Sequence, residues 1–110
     1  MPVKKVFKKS TELPNAKPEV GSGWTFLSNH THVLVCVAKE GAIKVRDIAV
    51  HVGITERAVM RILSELEAAG VVVREREGRR NRYQIDPNVA LRHPLEQHCT
   101  IGDILRLLNM

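Results

Sequence analysis

Arg57 and Arg61 stand four residues apart in the run Thr55-Glu56-Arg57-Ala58-Val59-Met60-Arg61-Ile62-Leu63-Ser64, which puts both guanidinium groups on one side of a helix. A guanidinium is a planar fork of donors, matched to phosphate oxygens and to the acceptor edge of a guanine. Thr55, Glu56, Met60 and Ser64 share that side once Ala58, Val59, Ile62, Leu63 and Leu66 turn inward. A second cluster follows downstream, where Arg74, Arg76, Arg79, Arg80 and Arg82 are interleaved with Glu75 and Glu77. The chemistry these residues offer is recognition of a polyanion. Bond-making chemistry has no counterpart here: the chain holds no glycine-rich phosphate loop, no nucleophile elbow and no paired carboxylates at a plausible site. No enzymatic activity and no cofactor is expected.

The elements that must position the arginines can be read from periodicity. Ile48, Ala49 and Val52 fall on one face of a first helix, and the apolar pattern turns at Gly53 before resuming in a second. Small Ala49 permits a close helix crossing, and Gly53 can take the positive φ of a tight inter-helix turn. Thr55 is a natural N-cap, with Glu56 favourably placed in the first turn. After Gly70, the segment Val71 to Arg76 reads as a β-branched strand. Glu77 to Asn81 is turn material, and Arg82-Tyr83-Gln84-Ile85 alternates as a returning strand, with Tyr83 and Ile85 inward. Helix, turn, helix and basic hairpin describe a winged helix-turn-helix, a mainly α fold with a small antiparallel β-wing (α+β).

In these residues the chain resembles the winged helix-turn-helix transcriptional regulators of bacteria and archaea, closest to the MarR and ArsR types. The resemblance covers about residues 24 to 86 and is clearest in Asp47-Ile48-Ala49, Val52 to Val59, Leu66 to Val72 and the wing run Arg76 to Tyr83. It implies that the second helix lies in the major groove of duplex DNA, with Thr55, Glu56, Arg57, Met60 and Arg61 toward the bases. Ser64, Arg79, Arg80 and Arg82 would then serve the backbone and the flanking minor groove. Winged helices also act as protein-interaction modules, so fold does not decide function. The sign of the surface favours DNA, because Arg57, Arg61 and the wing are basic and only Met60 is apolar.

Size and charge agree with that reading. The 110 residues suffice for one domain with its own core. Seventeen Lys and Arg against twelve Asp and Glu leave a net charge of +5, which favours a polyanionic partner through counterion release. Few aromatics weaken a single-strand reading, which relies on base stacking. Cys36 and Cys99 form no disulfide framework, no stretch approaches the ~20 apolar residues of a membrane span, and a cytoplasmic location is expected.

Three further regions complete the reading. Residues 1–23, rich in Lys and Pro, form a flexible basic arm that adds phosphate contacts or acts as a solubilising tail. Residues 24–86 form the winged helix domain, in which Trp24, Phe26 and Leu27 begin the folded body. A helix from Ser28 or Asn29 to Lys39 covers the motif with Val33, Leu34, Val37 and Ala38. Ala42, Ile43 and Lys44 supply, by the resemblance, a short strand that pairs with the wing. Residues 87–110 hold a connector and an amphipathic helix that opens with a capping box at Thr100 and Asp103. Its Ile101, Ile104, Leu105 and Leu108 either close their own core or meet a second copy, and the need to read two half-sites favours a homodimer. His30, His32, Cys36, His93, His98 and Cys99 lack the tight spacing of a metal site, so no metal is expected. The residues name no small-molecule or metal effector.

Overall fold

The computed structural model describes residues 23–110. Among these residues, four helices and one hairpin follow each other as α1 (Asn29–Lys39), α2 (Val45–Val52), α3 (Glu56–Ala68), β1 (Val72–Glu77), β2 (Arg80–Ile85) and α4 (Ile101–Leu107). This is the expected winged helix-turn-helix, mainly α with a two-stranded antiparallel wing.

The first three helices bury most of the apolar stripe that their sequences carry. Val33, Leu34 and Val37 of α1 meet Ile48 and Ala49 of α2 and Val59, Ile62, Leu63 and Leu66 of α3 in one aliphatic core. Ile48, Val33 and Val59 are wholly excluded from water, and burying each such side chain contributes about 1.5–3 kcal/mol before chain entropy is counted. The corner between α2 and α3 is made at Gly53, whose φ of 86° lets the Gly53 and Ile54 N–H groups both return to the Ala49 carbonyl. Thr55 then caps α3, its Oγ1 accepting the Ala58 N–H at 3.0 Å. At the other end the Gly70 N–H donates to the Glu67 carbonyl and the Val71 N–H to that of Leu66, the paired bonds of a Schellman motif. That motif releases the chain directly into the wing.

The wing pairs Val72 with Ile85 at its base and Glu77 with Arg80 at its tip. Only Gly78 and Arg79 lie in the turn, which is tighter than the five-residue turn expected over 77–81. Gly78 has a φ of 67°, the conformation a two-residue hairpin turn needs at its first central position, so pairing continues to the tip. Val72 and Tyr83 anchor the base in the core, and Ile85 packs against it.

Beyond the wing the chain folds back on the same body. The Gly102 N–H donates to the Pro87 carbonyl and the Ile101 N–H to that of Val89, and Ile101 enters the core. The capping box of α4 is complete, with Asp103 N–H donating to Thr100 Oγ1 and Thr100 N–H to Asp103 Oδ2.

Three expectations are corrected. Residues 42–44 form no strand: the Ile43 N–H bonds the Glu40 carbonyl in a turn, and the Lys44 carbonyl already accepts the first N–H groups of α2. Among the described residues, one backbone hydrogen bond links this turn to the wing, from Tyr83 N–H to the Gly41 carbonyl at 2.9 Å. Ala38 is exposed, so the buried stripe of α1 ends at Val37. Trp24 and Phe26 stay outside the core, 76% and 91% exposed, packed edge to face on each other. The basic arm, apart from Gly23, lies outside the described residues.

Candidate nucleic-acid interface

On α3 the four buried positions leave a continuous outer side. Thr55, Glu56, Arg57, Met60, Arg61 and Ser64 are all exposed there, on a helix held by its cap and by the core behind it. Arg57 joins no ion pair among the described residues. Arg61 differs, because its Nη1 lies 3.7 Å from Glu65 Oε2 on the next turn. The other Glu65 oxygen accepts a hydrogen bond from His30 Nε2 of α1 at 2.7 Å. That hydrogen bond, with Arg61 nearby, holds the Glu65 carboxyl below the usual range. Such exposed pairs contribute little stability. Their consequence is orientation: Arg61 is tethered while Arg57 is left to solvent.

The wing sorts its arginines by face. Residues directly opposite in an antiparallel pair share a face, so Arg74 with Tyr83 and Arg76 with Asn81 continue the inward face of Val72 and Ile85. Glu75 with Arg82 and Glu77 with Arg80 lie on the outer face. There Arg82 Nε sits 3.1 Å from Glu77 Oε1. On the inner face Arg74 Nε reaches Glu67 Oε2 of α3 at 3.6 Å, while Arg76 Nε donates to the Gly78 carbonyl at 3.3 Å. Arg79 and Arg80 join no ion pair among the described residues. Of the wing residues singled out from sequence, then, Arg79 is at the turn and Arg80 and Arg82 share a face with two glutamates. Arg76 was not singled out, and the signal that marks it is the strand alternation read together with the pairing register.

The candidate dimer residues occupy different environments. Ile101 is buried in its own subunit, Ile104, Leu105 and Leu108 are half-buried, and Leu107 is exposed. An open cavity of about 1220 Å³ lies beside them, with Trp24, Leu27, Val35, Cys36, Val52 and Leu108 among its walls. Burial pushes the Cys36 thiol up, which keeps it protonated and a poor nucleophile near neutral pH. Among the described residues no group of three or more His, Cys, Asp or Glu side chains could hold a metal ion, and no helix is long and apolar enough to cross a membrane.

The family model described as MarR family matches residues 28–79, from the cap of α1 to the turn of the wing. No curated protein and no solved structure matches the chain.

Proposed function

We propose that this protein, whose winged helix at residues 28–79 belongs to the MarR family of DNA-binding transcription regulators, is a sequence-specific, homodimeric reader of duplex DNA in the cytoplasm. In this reading α3 enters the major groove, with Thr55, Glu56, Arg57, Met60 and Arg61 toward base edges and Ser64 toward the backbone. The wing, with Arg79, Arg80 and Arg82 among its cations, lies against the flanking backbone and minor groove. The observation that carries the proposal is the outer side of α3, polar and basic, capped at Thr55 and backed by buried Val59, Ile62, Leu63 and Leu66. Helix-borne side chains in fixed register are what base reading requires.

The homodimer is supported by the apolar surface at the two ends of the described chain, where Trp24, Phe26 and Leu107 are exposed and Leu108 is half-buried. Two copies would present two α3 helices to two half-sites.

The test is a salt titration of binding to a random-sequence duplex beside duplexes selected from genomic fragments, with the protein's mass in solution measured by light scattering. Tighter binding to selected fragments and a steep salt slope are expected. Within such a site Arg57→Ala should cost ~1–3 kcal/mol and relax preference at one base position. Equal losses on selected and random DNA would remove Arg57 from base reading. No binding to either duplex near physiological salt would favour a protein partner instead.

A further inference from the structure

Arg57 and Arg61 share the outer side of α3, but among the described residues a second helix reaches only Arg61, through Glu65. Arg61 Nη1 lies 3.7 Å from Glu65 Oε2, and the other Glu65 oxygen accepts the 2.7 Å hydrogen bond from His30 Nε2. His30 stands one turn before Val33 and Leu34, so it carries the buried stripe of α1 onward beside α3. Its place is therefore set by the core, from a helix other than the one that bears the arginine. Glu65 stands between Arg61 and the core, on the same turn as buried Ile62 and Leu66. A carboxylate engaged at both oxygens keeps one orientation, where a lone exposed pair samples many.

We infer that His30 and Glu65 are positioning residues for sequence reading: they set the Arg61 guanidinium for one base edge, so α1 takes part in specificity without itself touching a base. This rests on the duplex-DNA reading above, in which Arg61 faces the groove. An arginine carries more donors than one partner uses. Glu65 engages the Nη1 end, and the remaining N–H groups are left for the paired acceptors of a guanine. A free arginine loses rotamer freedom when it docks, whereas a tethered one has lost part of it before DNA arrives. An orientation fixed for one base edge is wrong for the others. The same carboxylate repels phosphates, so it lowers sequence-independent attraction while it raises selectivity. Arg57, in no ion pair among the described residues, is the comparison on the same helix.

The experiment uses the full chain and a duplex selected from genomic fragments, compared with duplexes changed one base pair at a time. Arg61→Ala should lower discrimination at one base pair by about fivefold or more. His30→Ala should lower it at that same base pair by about two- to fivefold and leave the other positions, that of Arg57 included, unchanged. His30→Gln, whose amide N–H reaches as far as Nε2, should restore it. Glu65→Gln should weaken discrimination there while binding random-sequence duplex at least as tightly, because an acid has gone. Combined with Arg61→Ala, His30→Ala should add nothing. An added loss in that double variant, or a His30→Ala loss spread evenly over every sequence, would overturn the inference. So would unchanged discrimination in His30→Ala while Arg61→Ala relaxes a position, with base reading by Arg61 left intact. If Arg61→Ala relaxes no position, base reading by Arg61 falls and the inference falls with it. Failure of the unsubstituted protein to bind duplex at all is read separately, in the first titration, and would remove the DNA reading and this inference together.

Discussion

Helix α3 and the wing both present arginines, yet they hold them by different means. On α3 the backbone is fixed by a Thr55 cap, by a Schellman motif and by four buried side chains, so the outer side inherits the rigidity of the core. Past Tyr83 and Val72 the wing has no core of its own, and its side chains are ordered by their partners across the strands. Charge is consequently used differently. Among the described residues the helix leaves Arg57 without an ion-pair partner, whereas the wing sets two of its arginines opposite glutamates. A core can hold an unpaired cation in register, while a free-standing hairpin relies on cross-strand pairs for its order and gives up net charge in return.

The strongest way to break the contrast is to remove the support they share. Ile48 is fully buried between α1, α2 and α3, and Ile48→Ala should lower stability by about 2–5 kcal/mol, read by urea denaturation. A loss under 1 kcal/mol would mean that the core is not what braces α3. A more selective break is Gly41→Ala. The added Cβ would come within 2.9 Å of the Tyr83 carbonyl, beside the bond that ties the wing to the α1–α2 turn. About 1–3 kcal/mol should be lost. Hydrogen exchange should then accelerate at Tyr83 and along the wing with α3 amides slowed as before relative to global unfolding; equal acceleration in both would show that the two regions are not separable.

On the helix side, Thr55→Ala leaves the Ala58 N–H without its acceptor and should cost ~1 kcal/mol, with exchange rising in the first turn of α3. The smallest effect is electrostatic. The Glu65 carboxyl titrates below its ordinary value because His30 hydrogen-bonds it, so its contribution is present above the ordinary carboxylate range and is lost as pH falls through the lowered value. Glu65→Gln should therefore flatten the acid limb of the stability curve slightly, and should leave Arg61 untethered. An unchanged Arg61 Nε–H resonance in that variant would show that Glu65 does not orient it.

Much of this was legible in the chain. Two helices with a corner at Gly53, the Thr55 cap and the Thr100–Asp103 capping box depend on residues within one turn of each other, and the structure has them where local pattern put them. The strand expected at 42–44 was not legible, because its fate depends on which carbonyl and N–H groups the neighbouring turn and helix have already taken. Trp24 and Phe26 misled for a related reason: being large and apolar argues for burial somewhere, but only the packed surface says whether a place exists within the same chain. Arg76 was read as part of the basic run but not as a candidate contact, because a run of arginines looks uniform until the register divides it into faces.

Periodicity and capping, which are short-range, determined from the sequence alone that α3 exists, where it starts and which of its residues face outward. The tertiary structure decided which cations are already matched: Arg61 by a glutamate that His30 of another helix holds, Arg74 by Glu67 across an element boundary, and Arg82 by Glu77 through strand pairing. An ion pair forms or fails over a few ångströms, and distances of that kind between residues far apart in sequence come into being only when the chain has folded.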